Sequence, residues 1–271
     1  MHTAPTLLVN TAEIELWPAP LLRARSNADA RALARSDWLL RRKRDGRYLA
    51  AASARALHPL LPRLMHEPGI ETALDALDSL LSGARHRLPE GALPLDRLER
   101  HLQRLGLDRA EYAQATGLAT EAEPAHLVLA GFDRYRRPLW LTAGAARGWQ
   151  RMRDAAGRDG IALDAISGYR SHDYQLGIFE RKLARGQALP QILQVNAAPG
   201  FSEHHSGNAL DIGAPGEPPA EESFERTPAF HWLSRHAGDF GFRMSYPRDN
   251  PHGIVYEPWH WCFRSDPARP L

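Results

Sequence analysis

The chain has 271 residues, of which 43% are hydrophobic and 24% are charged, and its formal net charge is +2. This length fits one large domain or two ordinary ones, and the composition is typical of a globular protein. The small net charge gives no support to a nucleic-acid-binding protein, and no run approaches the ~20 apolar residues of a membrane span. Residues 1–16 lack the basic and apolar regions of a Sec signal, so we expect a cytoplasmic protein or export by another route.

Residues 1–124 are predicted to form a mainly helical N-terminal module, whose role the sequence does not indicate. The pattern is helical from 27 to 40, and apolar residues recur at helical spacing over 70–81 and 95–105. Asp108 is placed to cap a further short helix, because its side chain can accept hydrogen bonds from the first free backbone N–H groups.

The segment Trp38–Tyr48 is compatible with two structures, a helix end or a hairpin around Asp45-Gly46. Polar residues at 120–124 form the expected domain boundary. Residues 125–271 then alternate predicted strands with predicted helices, including a helix capped by Ser171. The predicted fold class is α+β, with a small antiparallel sheet, flanking helices and the helical module in front.

The stretch between residues 199 and 213 contains the pattern S-x-H-x-x-G-x-A-x-D, which includes Ser202, His204 and Asp211. A tight turn at Gly207 followed by a short strand allows the histidine and the carboxylate to converge from different directions. Alternation along that strand sends its Leu and Ile side chains to the core and the aspartate to the other face. The stretch is therefore expected to provide half of a divalent metal site.

The other half is expected near the C-terminus, where the pattern E-x-x-H places Glu257 three residues before His260. The residues from His260 onward alternate as a strand does, so His260 faces the site while Trp261 is buried. Pro258 keeps Glu257 out of a regular helix or strand, so its carboxylate can lean over a metal ion rather than bind it.

Together, His204, Asp211 and His260 provide the donors of a catalytic zinc site with its fourth position open to water. Glu257 is then the expected general base for that water. The pattern of two histidines, one carboxylate and a nearby second carboxylate therefore predicts metal-assisted hydrolysis.

Two neighbours of the expected ligands need separate consideration. Cys262 lies two residues after His260 and is either a small buried side chain or a fourth metal ligand. It is the only cysteine in the sequence, which excludes an intrachain disulfide. His205 adjoins His204 but points away from the site in an extended chain, so it is not expected to bind the metal.

These motifs resemble those of the LAS group of zinc peptidases, and in particular those of VanY-type D-alanyl-D-alanine carboxypeptidases. Ser167-Gly-Tyr-Arg-Ser171 and Tyr246-Pro247 fit the same resemblance, which covers about residues 125–265. It implies a LAS-type zinc peptidase domain over residues 125–271. It also implies zinc-dependent removal of the terminal D-Ala from a peptidoglycan stem peptide.

The resemblance further implies roles for Arg170 and Ser202, while Gln175 is a candidate because it lies one turn into the helix that follows Ser171. The arginine of the S-G-Y-R motif, Arg170, lies beside the zinc in that family and helps to stabilise the oxyanion, although a structural ion pair is the alternative. Ser202 either binds the substrate carboxylate or holds the loop, and the resemblance favours the first. Gln175 supports the substrate pocket or is only packed or exposed.

Three alternative functions remain open from the sequence. An L-alanyl-D-glutamate endopeptidase of endolysin type shares the zinc motif, and residues 1–124 would then bind cell wall. A zinc-holding binding or signalling module would need no general base, so Glu257 speaks against it. A metal-stabilised structural domain with an N-terminal partner-binding bundle would be excluded by an exposed metal-bound water. The expected partner is the stem peptide or its precursor, with no nucleic acid and no membrane span, and the oligomeric state is not determined by the sequence.

Overall fold

The computed structural model describes residues 6–24 and 26–264, which fall into two compact units. The first unit contains the described residues up to Pro94 together with Glu123–Leu127. The second unit contains Leu95–Ala122 and the described residues from Val128 onward. The chain therefore crosses between the units three times, whereas the sequence predicted a single boundary at residues 120–124.

The first unit is built around an antiparallel sheet with the strand order β5-β4-β3-β2-β1. Its strands are β1 (Leu7–Asn10), β2 (Ile14–Pro18), β3 (Trp38–Arg42), β4 (Tyr48–Ser53) and β5 (Ala56–Pro59), and its helices are α1 (Asn27–Leu33) and α2 (Ile70–Leu81). The description of the N-terminal region as mainly helical is thus wrong for the residues before α2. The helix expected over 27–40 ends at Leu33, and the hairpin around Asp45-Gly46 is the correct one of the two alternatives.

The alternating residues from Ile14 to Trp17 predict the short strand that the structure has as β2, whereas β4 does not follow an alternating pattern. Strand β4 has the sequence Tyr-Leu-Ala-Ala-Ala-Ser, and all but its last residue are buried. Alanine and leucine have high intrinsic helix propensities. Pairing and burial within the sheet outweigh that local preference, as is common for strands.

The second unit contains most of the helices and the sheet that carries the candidate site. Its elements are α3 (Leu98–Gln103), α4 (Arg109–Thr116), β6 (His126–Phe132, with its first two residues in the first unit), β7 (Pro138–Leu141), α5 (Ala143–Arg158), β8 (Asp164–Ser167), α6 (His172–Ala184), α7 (Leu189–Gln194), β9 (Ala209–Gly213), α8 (Pro228–His236), β10 (Phe242–Met244) and β11 (His260–Phe263). None of the helices in residues 6–24 and 26–264 is long and apolar enough to cross a bilayer.

Four of these strands form a small antiparallel sheet in the order β10-β11-β9-β8. One face of the sheet packs against α5 and α8, and buried Leu210, Ile212 and Trp261 lie in the same hydrophobic cluster as Trp149 and Leu233 from those helices. The α+β class predicted from the sequence is confirmed. Because side chains alternate along a strand, the opposite face is left for polar residues.

The short helices α3 and α4 belong to the second unit. Their apolar faces complete a hydrophobic core around Phe201, three residues before His204. Leu98 and Tyr112 are buried in one cluster with Phe201. The Tyr112 ring meets the Phe201 ring edge-on at 4.8 Å, and its hydroxyl accepts a hydrogen bond from the Ala198 backbone N–H. Asp108 caps α4 as predicted, accepting hydrogen bonds from two backbone N–H groups of its first turn.

Candidate metal centre

The structure brings together three buried side chains that can hold a metal ion, those of His204, Asp211 and His260. One donor atom from each lies within 4.8 Å of the others. Two imidazole nitrogens and a carboxylate oxygen are a donor set that suits zinc, and three protein ligands leave a fourth position for water or substrate.

Strand pairing positions two of the three donors. His260 lies directly opposite Asp211 in the antiparallel pairing of β11 with β9. Their neighbours Trp261 and Leu210 point into the core, so the two polar side chains share the other face. The prediction that these strands are neighbours is confirmed.

A short turn of 3-10 helix positions the third donor. His204 lies in the turn Glu203–Ser206, which ends at Gly207 with a φ of 71°. A side chain is rarely tolerated at this left-handed φ, so glycine allows the chain to reverse directly into β9. The reversal places the imidazole beside the carboxylate of Asp211.

The two nitrogens of His204 have different surroundings. Nδ1 lies 2.7 Å from the Gly168 backbone carbonyl, to which it donates its proton. Nε2 is buried without a hydrogen-bond partner and lies 3.2 Å from Asp211 Oδ2. A buried nitrogen lone pair without a hydrogen-bond donor costs folding free energy. A metal ion bound to this nitrogen would remove that cost.

His260 contacts a carboxylate with each of its nitrogens. Nδ1 lies 3.1 Å from Asp211 Oδ1, and Nε2 lies 2.9 Å from Glu203 Oε2. Nδ1 is therefore the nitrogen that faces the ligand group. Glu203 was not singled out in the sequence, although a metal-bound histidine usually has a second polar partner that could have been sought.

The environment separates the pKa values of the two histidines. Burial alone would lower the pKa of His260, but hydrogen bonds to Asp211 and Glu203 outweigh it and raise the pKa to about 10. In His204, burial and the positive charge of Arg170 lower the pKa to about 4. At neutral pH the two imidazoles together therefore carry one positive charge, and this charge lies on His260.

Glu257 lies next to the ligand group without belonging to it. Its Oε2 is 3.9 Å from His260 Nδ1, and its backbone N–H donates to the Tyr246 carbonyl at 3.0 Å. Burial raises the pKa of Glu257 to about 7, although the positive charge of His260 acts in the opposite direction. A carboxylate with a pKa near neutrality can both accept and release a proton under ordinary conditions.

A cavity open to solvent lies beside the ligand group. Its lining includes all the residues for which the sequence predicted a catalytic or substrate-binding role, namely Arg170, Gln175, Ser202 and Glu257, together with His204 and His260. Arg170 Nη2 lies 3.9 Å from Asp211 Oδ2. Gln175 is buried and donates to the Ala197 carbonyl, while its Oε1 has no hydrogen-bond partner.

The two neighbours of the expected ligands lie outside the ligand group. Cys262 is a free, buried cysteine and is not among the three converging residues. His205 Nδ1 donates to the Arg170 backbone carbonyl at 2.7 Å, and its ring packs edge-on against His172. His205 is thus not among the converging donors, but it lies in the 3-10 turn Glu203–Ser206 and not in the extended chain on which the expectation rested.

Comparison with known proteins gives one family. The family model described as VanY, D-alanyl-D-alanine carboxypeptidase, matches residues 138–266. The bifunctional D-Ala-D-Ala dipeptidase and D-Ala-D-Ala carboxypeptidase VanXYC of Enterococcus gallinarum is 32% identical over 151 residues, which cover 54% of this chain and 77% of that protein.

Two further proteins are similar over about half of this chain. YodJ of Bacillus subtilis is 33% identical over 165 residues, and the chain spans 58% of its length. The structure of VanYB in complex with D-alanine-D-alanine shares 30% identity and a TM-score of 0.40, covering 46% of this chain and 71% of that one.

Proposed function

We propose that this chain, which belongs to the VanY family of D-alanyl-D-alanine carboxypeptidases, removes the terminal D-Ala of a peptidoglycan stem peptide by zinc-dependent hydrolysis. One observation carries the proposal: three buried donors converge at the edge of a cavity with a carboxylate of near-neutral pKa beside them. This is the set of groups that metal-assisted hydrolysis needs.

The donors fit zinc in both chemistry and surroundings. His204 Nε2 is a buried nitrogen without a partner, and Asp211 is kept ionised because the two histidines hold its pKa well below its usual range despite burial. When bound, zinc supplies Lewis-acid polarisation of the substrate carbonyl and of the attacking water. The protein side chains supply the remaining steps.

Glu257 is the proposed general base. Its carboxylate accepts the proton of the attacking water and passes it to the amine of the departing D-Ala. The tether of its backbone N–H to the Tyr246 carbonyl holds the side chain close to the ligand group without making it a ligand.

Two uncharged side chains of the cavity are proposed to hold the substrate. Ser202 is buried and lines the cavity two residues before His204, so its hydroxyl can donate to the terminal carboxylate of the peptide. The unpartnered Oε1 of Gln175 can accept a hydrogen bond from a substrate N–H. The Ser202 hydroxyl and Gln175 Oε1 would then each have a hydrogen-bond partner when the substrate binds.

Arg170 is proposed to stabilise the negative charge that develops on the carbonyl oxygen. Replacing it in Arg170→Met should lower kcat by about 10²–10³-fold, the usual cost of losing one such donor. Zinc affinity should not fall, because the guanidinium repels a cation held next to Asp211, 3.9 Å away. Steady-state kinetics and a chelator competition measure the two effects separately.

The matched control is Arg185→Met, which removes an exposed arginine at the end of α6, away from the cavity lining. It should behave as the unmodified protein. A parallel loss of zinc and activity in Arg170→Met would mean that Arg170 supports the ligand group rather than the oxyanion.

Zinc binding should release one proton from the histidine pair. Below its pKa of about 10, His260 carries a proton that zinc must displace, whereas His204, with a pKa of about 4, is already neutral. Zinc affinity should therefore rise by at least about tenfold per pH unit between about pH 5 and 6.5. Chelator competition, corrected for protonation of the chelator, measures this slope; a slope near zero would contradict the proton assigned to His260.

The proposed reaction is tested with a muramyl pentapeptide that ends in D-Ala-D-Ala and with the same peptide amidated at its C-terminus. Mass spectrometry should show loss of one alanine from the free acid and no cleavage of the amide, because Ser202 is proposed to bind the carboxylate. Cleavage of both peptides between L-Ala and D-Glu would identify an endopeptidase instead. No cleavage with zinc bound would indicate a zinc-holding module.

A further inference from the structure

On the basis of the zinc site proposed above, we propose that Glu203 is a positioning residue that fixes the imidazole of His260 for metal binding. Its carboxylate is the partner of the nitrogen that faces away from the ligand group. This assigns a role to the residue between Ser202 and His204, which neither the motif pattern nor the proposed chemistry had used.

The carboxylate of Glu203 is held at both oxygens. Oε2 lies 2.9 Å from His260 Nε2, and Oε1 accepts a hydrogen bond from the guanidinium of Arg264. The Ser245 side chain also hydrogen-bonds to it. The side chain is only 10% exposed, so water does not compete strongly for these contacts.

The contact decides which nitrogen of His260 is available for a metal ion. An ionised carboxylate only accepts hydrogen bonds, so Nε2 must carry the proton that points at Glu203. The lone pair of the neutral ring then lies on Nδ1, which faces Asp211 at 3.1 Å. Rotation of the ring by half a turn about the Cβ–Cγ bond would put Cδ2 in the place of Nδ1 and Cε1 in the place of Nε2, so both contacts would be lost.

The two histidine ligands are oriented by different kinds of hydrogen-bond partner, a backbone carbonyl for His204 and a side-chain carboxylate for His260. His204 donates its Nδ1 proton to the backbone carbonyl of Gly168, which no side-chain substitution removes. His260 depends on a charged side chain 57 positions away in the sequence. A carboxylate partner also increases the basicity of a ligating imidazole, and losing such a partner typically costs about 10–100-fold in metal affinity.

A nearby buried carboxyl group provides a matched control. Glu121 is partly buried and interacts electrostatically with both Glu203 and Arg264. It makes no hydrogen bond or ion pair with His260 among the described residues. Above the raised pKa of Glu121, which is about 7, both side chains are ionised. At pH 8, Glu203→Gln and Glu121→Gln therefore each remove one negative charge, but only Glu203→Gln removes the charge of a group that accepts a hydrogen bond from a ligand.

The experiment measures the zinc affinity of the full chain by chelator competition for the unmodified protein and for both variants. Glu203→Gln should weaken zinc binding by about 10–100-fold, and Glu121→Gln should leave it unchanged. Thermal unfolding of the zinc-free proteins reports any loss of folding separately. Unchanged affinity in a folded Glu203→Gln variant, or an equal loss in Glu121→Gln, would overturn the proposal.

A second measurement needs no variant and keeps the proposal testable if Glu203→Gln does not fold. Nitrogen-15 NMR of the zinc-loaded, unmodified protein should show His260 protonated at Nε2 and bound through Nδ1. Binding through Nε2 would contradict the positioning role. Both readouts are independent of peptide hydrolysis, so a protein that binds zinc but cleaves nothing would refute the proposed function and leave the role of Glu203 intact.

Discussion

Replacing Glu257 with glutamine is expected to lower kcat by about 10²–10⁴-fold, the contribution typical of a positioned general acid–base group, while zinc binding persists. Glutamine has nearly the same shape but cannot accept the proton of the attacking water. Glu257 is not one of the three converging donors, and its backbone contact with Tyr246 does not involve the side chain. The loss should therefore appear in catalysis and not in metal content.

The kinetics of D-Ala release and the zinc content after gel filtration measure these two effects. Glu111→Gln is the matched control, because Glu111 is an exposed carboxylate on α4, outside the cavity lining, and its loss should change neither quantity. Full activity in Glu257→Gln would show that another group accepts the proton. Loss of zinc together with activity would make Glu257 a ligand.

The second large effect is expected from His204→Ala, which should lose both zinc and activity. The substitution removes one of three donors and leaves Asp211 buried beside an empty space instead of a ligand. Lewis-acid stabilisation by a metal ion is worth several kcal/mol, and each ~1.4 kcal/mol corresponds to a tenfold change in rate. The rate of D-Ala release should therefore fall by at least about 10³-fold.

Zinc content and rate are measured for His204→Ala beside His231→Ala, which removes an exposed histidine on α8. The control should retain both properties. If His204→Ala kept one zinc ion per chain and hydrolysed the peptide, the ligand group would be assigned wrongly.

The candidate site could be predicted because its parts are encoded by short local patterns. Alternation within four residues of β11 was enough to place His260 on one face and Trp261 in the core. Gly207 marked the turn that precedes β9. The pairing of β9 with β11 joins residues 49 positions apart, and it was inferred only because both strands carry halves of one motif set.

The contact between Glu203 and His260 could not be predicted in the same way. Glu203 is next to a ligand in the sequence, but its partner is 57 positions away, and an isolated glutamate in a loop gives no indication of its contacts. The Arg264 contact that holds its other oxygen is equally remote.

Packing also explains why α3 and α4 group with the residues after Val128 rather than with those before Leu95. The polar residues at 120–124 suggested a joint, but the apolar face of α4 completes the core around Phe201. The hydrogen bond from Ala198 to Tyr112 spans 86 positions. No local pattern reveals such a contact, since the same helical spacing would fit packing within either unit.

Zinc titration of the chelator-treated protein, with the rate of D-Ala release from a muramyl pentapeptide as the readout, tests most directly whether this site performs the chemistry. The rate should rise in proportion to added zinc and reach its plateau at one ion per chain, with no rise in His204→Ala. Hydrolysis by the zinc-free protein, or a folded protein that takes up one zinc ion and releases no D-Ala, would contradict a zinc-dependent D,D-carboxypeptidase built on His204, Asp211 and His260.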